Sequence, residues 1–74
     1  MGYTFDLVGK AGKWEVFIDS KEGHGYFEHD DYGEGGALKF EGKELCDYDG
    51  CFSLPKEVIV AIRELGCDPS YAEN

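Results

Sequence analysis

Sixteen carboxylates face seven basic side chains in this chain of 74 residues, and the carboxylates are the groups whose spacing could do chemistry. Between Glu22 and Asp49, nine acids stand against Lys39 and Lys43, so this stretch holds seven of the nine net negative charges. Glu28/Asp30 and Asp47/Asp49 are i, i+2 pairs. On an extended strand each pair shares one face, with Cα atoms about 7 Å apart. Duplex DNA carries one charge per ~3.4 Å along each strand. A row of carboxylates on a stiff sheet is therefore a coarse copy of a phosphate backbone, and it would steer fast association with a basic groove. The plain alternative is a solvated face that confers solubility. Crowded like charge costs stability in a domain this small, which tips the balance toward binding. The candidate partner-binding residues are Glu28, Asp30, Asp31, Glu34, Glu41, Glu44, Asp47 and Asp49. Tyr32 joins them as an aromatic anchor, since tyrosine is enriched in protein interfaces. Tyr26 and Tyr48 also interleave with the acids, but each taken alone reads as core.

Other chemistries fit less well. Asp47-Tyr48-Asp49-Gly50 resembles the middle of an EF-hand loop. Aligning its glycine puts Leu45 where the first Asp belongs and Lys56 where the bidentate Glu belongs, so a turn is the better reading. His24, His29, Cys46, Cys51 and Cys67 could supply zinc ligands. Neither histidine nor cysteine spacing matches a zinc knuckle, however, and no metal or other cofactor is expected. No nucleophile motif surrounds any Cys or His. Gly33-Glu34-Gly35-Gly36 lacks the Lys-Ser/Thr of a phosphate loop. No catalytic residue is assigned, and an enzyme is not expected.

The elements that must position these residues are short. Tyr3 to Val8 alternates and predicts a strand, followed by a turn at Gly9-Lys10-Ala11-Gly12. Lys13 to Asp19 predicts a second strand, with Trp14, Val16 and Ile18 on one face. Tyr26 to His29, Ala37 to Phe40 and Glu44 to Tyr48 follow as strands. The glycine-rich segment 30–36 reads as a flexible tip. Ser53-Leu54-Pro55-Lys56 predicts a helix start, with Ser53 as cap. Val58, Ala61, Ile62 and Leu65 make an apolar stripe, and Gly66 ends the helix. The expectation is a single domain over 1–74 of α+β class. An antiparallel meander of four to five strands lies within 3–48, one helix over about 54–65 covers the Trp14/Val16/Ile18 face, and 70–74 is a loose tail.

Apolar residues at 42% and aromatics at 15% are enough to fold the chain. A net charge of −9 disfavours direct contact with nucleic acid or anionic membranes and favours a basic protein partner. No apolar run approaches the roughly 20 residues of a membrane span. The start Met1-Gly2-Tyr3-Thr4-Phe5-Asp6 lacks a secretion signal, and Asp6 stands where myristoylation wants Ser or Thr. The expected location is the cytoplasm, with three reduced cysteines and a monomeric protein.

Small size, acidity and a β-meander with one helix are similar in character to small phage-encoded anti-CRISPR proteins that mimic DNA. The segment Leu45-Cys46-Asp47-Tyr48-Asp49-Gly50-Cys51-Phe52-Ser53-Leu54-Pro55-Lys56-Glu57 also resembles small phage and mobile-element proteins. Within that group the resemblance points to an inhibitor of a type I complex, of subtype I-C. It implies a Cas effector (type I Cascade) subunit as partner in the host bacterial cytoplasm. The implied mechanism is steric and electrostatic competition with target DNA at its basic surface, carried by the acids named above.

Overall fold

The computed structural model describes residues 4–73. Five strands run in sequence as β1 (Leu7–Ala11), β2 (Trp14–Asp19), β3 (His24–His29), β4 (Gly35–Glu41) and β5 (Glu44–Tyr48). They form one antiparallel sheet in the order β1-β2-β3-β4-β5, followed by α1 (Lys56–Glu64) and α2 (Ser70–Glu73). This is the α+β meander expected from the patterning.

Alternation assigns the two faces. Val16 and Ile18 of β2, Phe27 of β3, Leu38 and Phe40 of β4 and Leu45 of β5 are buried on one face. Val58, Ala61 and Ile62 of α1 complete that core, and α1 lies over β1 and β2. Burying each large side chain contributes about 1.5–3 kcal/mol, which is what holds so short a chain together. Trp14 packs half-buried against the same core, as its spacing from Val16 and Ile18 predicts.

The first strand begins later than expected. Tyr3 lies outside the described residues, and Gly9, Lys10 and Ala11 are strand rather than turn. Gly9 serves packing instead: a Cβ there would sit 3.1 Å from Leu65 Cγ, so glycine lets the helix settle on β1. The turn is Gly12-Lys13, closing on the pair Ala11↔Trp14. Gly12 has φ +60°, which two-residue hairpin turns require and glycine adopts without cost. Gly42-Lys43 joins β4 to β5 in the same way, with Gly42 at φ +65°.

Two further expectations are corrected around the helix. Ser53 does not cap α1; Pro55 occupies that position and no side chain bonds the first turn. At the other end, Cys67 N donates to Ile62 O and Gly66 N to Arg63 O, with Gly66 at φ +90°. This pair of hydrogen bonds satisfies carbonyls of the last turn and ends the helix at glycine as predicted. The tail is not loose through residue 73. Pro69 is fully buried, residues 70–73 form α2, and α2 packs on β5. Asn74 lies outside the described residues. Asp68 straps the outer edge of β5, where Leu45 N donates to Asp68 O and Asp68 N to Lys43 O.

Candidate functional site

The face of the sheet away from α1 carries three rows of side chains in cross-strand register. One row is Lys10, Glu15, Glu28 and Gly35; the next is Val8, Phe17, Tyr26 and Ala37; the third is Asp19, His24, Lys39 and Asp47. Neighbouring strands lie about 4.8 Å apart, so members of a row are close neighbours. Glu15 sits directly opposite Glu28. Like charges in that position oppose pairing. The middle row is aromatic: Phe17 stacks on Tyr26 at 4.7 Å, and Phe5 packs edge-on to Tyr26 at 5.2 Å. Tyr26 thus belongs to this outer cluster, while Tyr48 packs against the core and edge-on to Tyr71 at 5.9 Å.

The nine candidate residues are all exposed, and the fold sorts them into three places. Glu28 and Asp47 stand on the open face of β3 and β5. Asp30, Asp31, Tyr32 and Glu34 form the β3–β4 tip, and Asp49 follows β5 at the same end of the sheet, where its N–H donates to Ala37 O. Glu41 and Glu44 flank the Gly42-Lys43 turn at the opposite end. Neither i, i+2 pair shares one strand face as expected: Glu28 and Asp47 stay on β3 and β5, whereas Asp30 and Asp49 lie just past the strand ends, where the chain turns away.

The tip is fastened rather than flexible. Lys10 Nζ lies 2.5 Å from Asp30 Oδ2, and Lys13 Nζ lies 2.5 Å from Asp31 Oδ2. Asp30 N donates to Lys13 O, His29 N to Glu34 O, and Gly33 N to His29 O. His29 Nδ1 accepts from Asp31 N at 3.1 Å, and the ring sits between Tyr32, stacked at 4.5 Å, and Trp14, edge-on at 4.9 Å. Asp30, hydrogen-bonded to Lys10, raises the ammonium pKa above its ordinary 10.5. Two of the eight candidate acids are therefore neutralised by lysines on the β1–β2 hairpin.

Glu28, Glu34, Glu41, Glu44, Asp47 and Asp49 join no ion pair among the described residues. Asp47 and Asp49 each accept a bond at Oδ1 from the following backbone N–H at 2.8 Å, which orients the carboxylates.

Three acids outside the candidate set have structural roles. Asp19, 3% exposed, accepts backbone N–H bonds from Thr4, Lys21 and Glu22. Asp6 accepts the hydroxyl and N–H of Ser20, which hold its pKa below 3.8. Ser70 does the same for Asp68 through its hydroxyl and N–H. Asp19 stands in a strand-turn position typical of an Asx bond, the one signal in the sequence for its role.

No group of three or more His, Cys, Asp or Glu among the described residues is placed to hold a metal. Cys46, Cys51 and Cys67 are free thiols. Burial pushes Cys51 and Cys67 upward in pKa, which makes them poor nucleophiles. Among the described residues, no helix is long and apolar enough to cross a membrane. No protein family matches the chain, and no curated protein or solved structure does either.

Proposed function

We propose that this protein is an acidic inhibitor that binds a basic nucleic-acid-binding surface of a CRISPR-Cas effector complex and blocks target DNA by presenting DNA-like charge. The observation that carries the reading is the set of six exposed carboxylates on β3, β4, β5 and their flanks that join no ion pair among the described residues. They project from a hydrogen-bonded sheet, so presenting them costs little ordering on binding. The partner is a type I Cascade subunit in the bacterial cytoplasm, and the mechanism is competition for its DNA channel. A gel-shift competition with type I Cascade and its target duplex tests it. Loss of the DNA-bound band with rising inhibitor, reversed by salt, is expected; an unchanged band at saturating inhibitor rejects this partner.

A second reading is favoured by one observation: Phe52 is fully exposed and Tyr32 is 73% exposed. A module docking through these rings, with acidity serving solubility alone, would bind its partner with little dependence on salt.

A further inference from the structure

We infer that the end of the sheet bearing Tyr32 and Phe52 is a guanidinium-docking platform, on which arginines of the basic partner seat in preference to lysines. The inference rests on the acidic-binding reading and adds to it the side chain that the surface selects.

The platform is built by close backbone contact. The segment after β5 runs against the start of β4. A Cβ on Gly36 would lie 1.8 Å from Asp49 O, and one on Gly50 would lie 2.6 Å from Gly35 O. Glycine at these positions lets the two backbones touch, so the chain that leads to Phe52 is clamped to the strand that leaves the tip. Tyr48 Oη also reaches Phe52 O at 3.5 Å. On the tip side, Tyr32 is held by its stack on His29, and the turn itself by the Lys10–Asp30 and Lys13–Asp31 pairs. Two exposed aromatic rings are thus carried at one end of the sheet by two segments whose backbones meet at Gly35, Gly36 and Gly50, and Glu34 and Asp49, which join no ion pair among the described residues, belong to those same segments.

Exposed phenyl and phenol rings gain nothing in water. Beside carboxylates, however, they match one cation well. Guanidinium is planar, weakly hydrated and able to stack on a ring face while its edge donates to a carboxylate. Ammonium is compact and strongly hydrated, and it gains less from a ring. Charge complementarity therefore selects a basic partner, and the rings select arginine within it.

The test titrates the full chain with deca-arginine and deca-lysine peptides by calorimetry at low and high salt. Wild type is compared with Tyr32→Ala, Phe52→Ala, the double variant, and the ring-retaining Tyr32→Phe and Phe52→Tyr, with melting curves run on each. Wild type should prefer deca-arginine by about fivefold, a margin that persists at high salt. The preference should fall toward unity in the double alanine variant and return in the ring-retaining variants. Equal affinity for the two peptides in wild type, or a preference that survives the double alanine change, overturns the inference and leaves the acidic reading standing. Absence of binding to either peptide at low salt overturns both.

Discussion

The two halves of the sheet use the same residue types differently. Around β1 and β2, four aspartates are occupied, with Glu15 the exception opposite Glu28: Asp30 and Asp31 meet Lys10 and Lys13, Asp6 bonds Ser20, and Asp19 gathers three backbone N–H groups. Around β4 and β5, Glu34, Glu41, Glu44, Asp47 and Asp49 are exposed and join no ion pair among the described residues, though Lys39 stands opposite Asp47 in register and Lys43 lies in the β4–β5 turn. In the first half acidity holds turns together. In the second it is available to something outside the molecule. Net charge alone does not separate these uses; the partners of each carboxylate do.

The sharpest break of this contrast is at the clasp that joins the tip to the segment after β5. Gly36→Ala would drive a Cβ into Asp49 O, where backbone rather than a flexible side chain must move. A loss of about 4 kcal/mol is expected in urea unfolding. Next is Asp19→Ala, which removes the buried carboxylate that accepts three part-buried backbone N–H bonds. About 3 kcal/mol is expected, with partial recovery in Asp19→Asn. Replacing Glu34, Asp47 and Asp49 by their amides should leave the melting temperature unchanged or slightly raised, because it removes repulsion while an asparagine Oδ1 still accepts the N–H bonds that Asp47 and Asp49 receive. Affinity for a basic partner should fall at the same time. If those three amide changes destabilised the fold as Asp19→Ala does, the distinction between occupied and available acids would collapse.

The smallest effect is the pH dependence of the occupied groups. Asp6 and Asp68 have folded pKa values below the ordinary 3.8, chiefly through the hydroxyls of Ser20 and Ser70. Their contribution is present above that value and is lost as pH falls below it. Lys10 is raised above 10.5 by Asp30, so its contribution is present below 10.5 and disappears at higher pH. Urea midpoints across pH should show both shoulders. Ser20→Ala should flatten the acidic one, and Asp30→Asn the alkaline one.

Much of the architecture was legible from local pattern. The stripe Val58, Ala61, Ile62, Leu65 announced α1, and alternation around Trp14, Val16 and Ile18 announced its face on the sheet. Gly66 marked the helix end because only a residue at ease with positive φ forms that cap. These are short-range signals, since a period or a turn residue acts on its own neighbours. Gly9 misled for the same reason. In sequence it looks like a turn, and only the approach of Leu65, more than fifty positions away, gives it a packing role.

The candidate site shows the same division. The sequence by itself determined that the middle of the chain is acidic, that strands and the tip between two of them would carry those acids, and that Tyr32 would be exposed. Tertiary structure alone decided which acids remain available. Lys10 meets Asp30 and Lys13 meets Asp31 because register brings the β1–β2 hairpin beside the tip. Ion pairing depends on distance in space, which falls off over a few ångströms in a way that chain separation does not report. The exposure of Phe52 was likewise undecided until Gly35, Gly36 and Gly50 brought two backbones together, because close packing is a property of surfaces that meet and not of the residues read one after another.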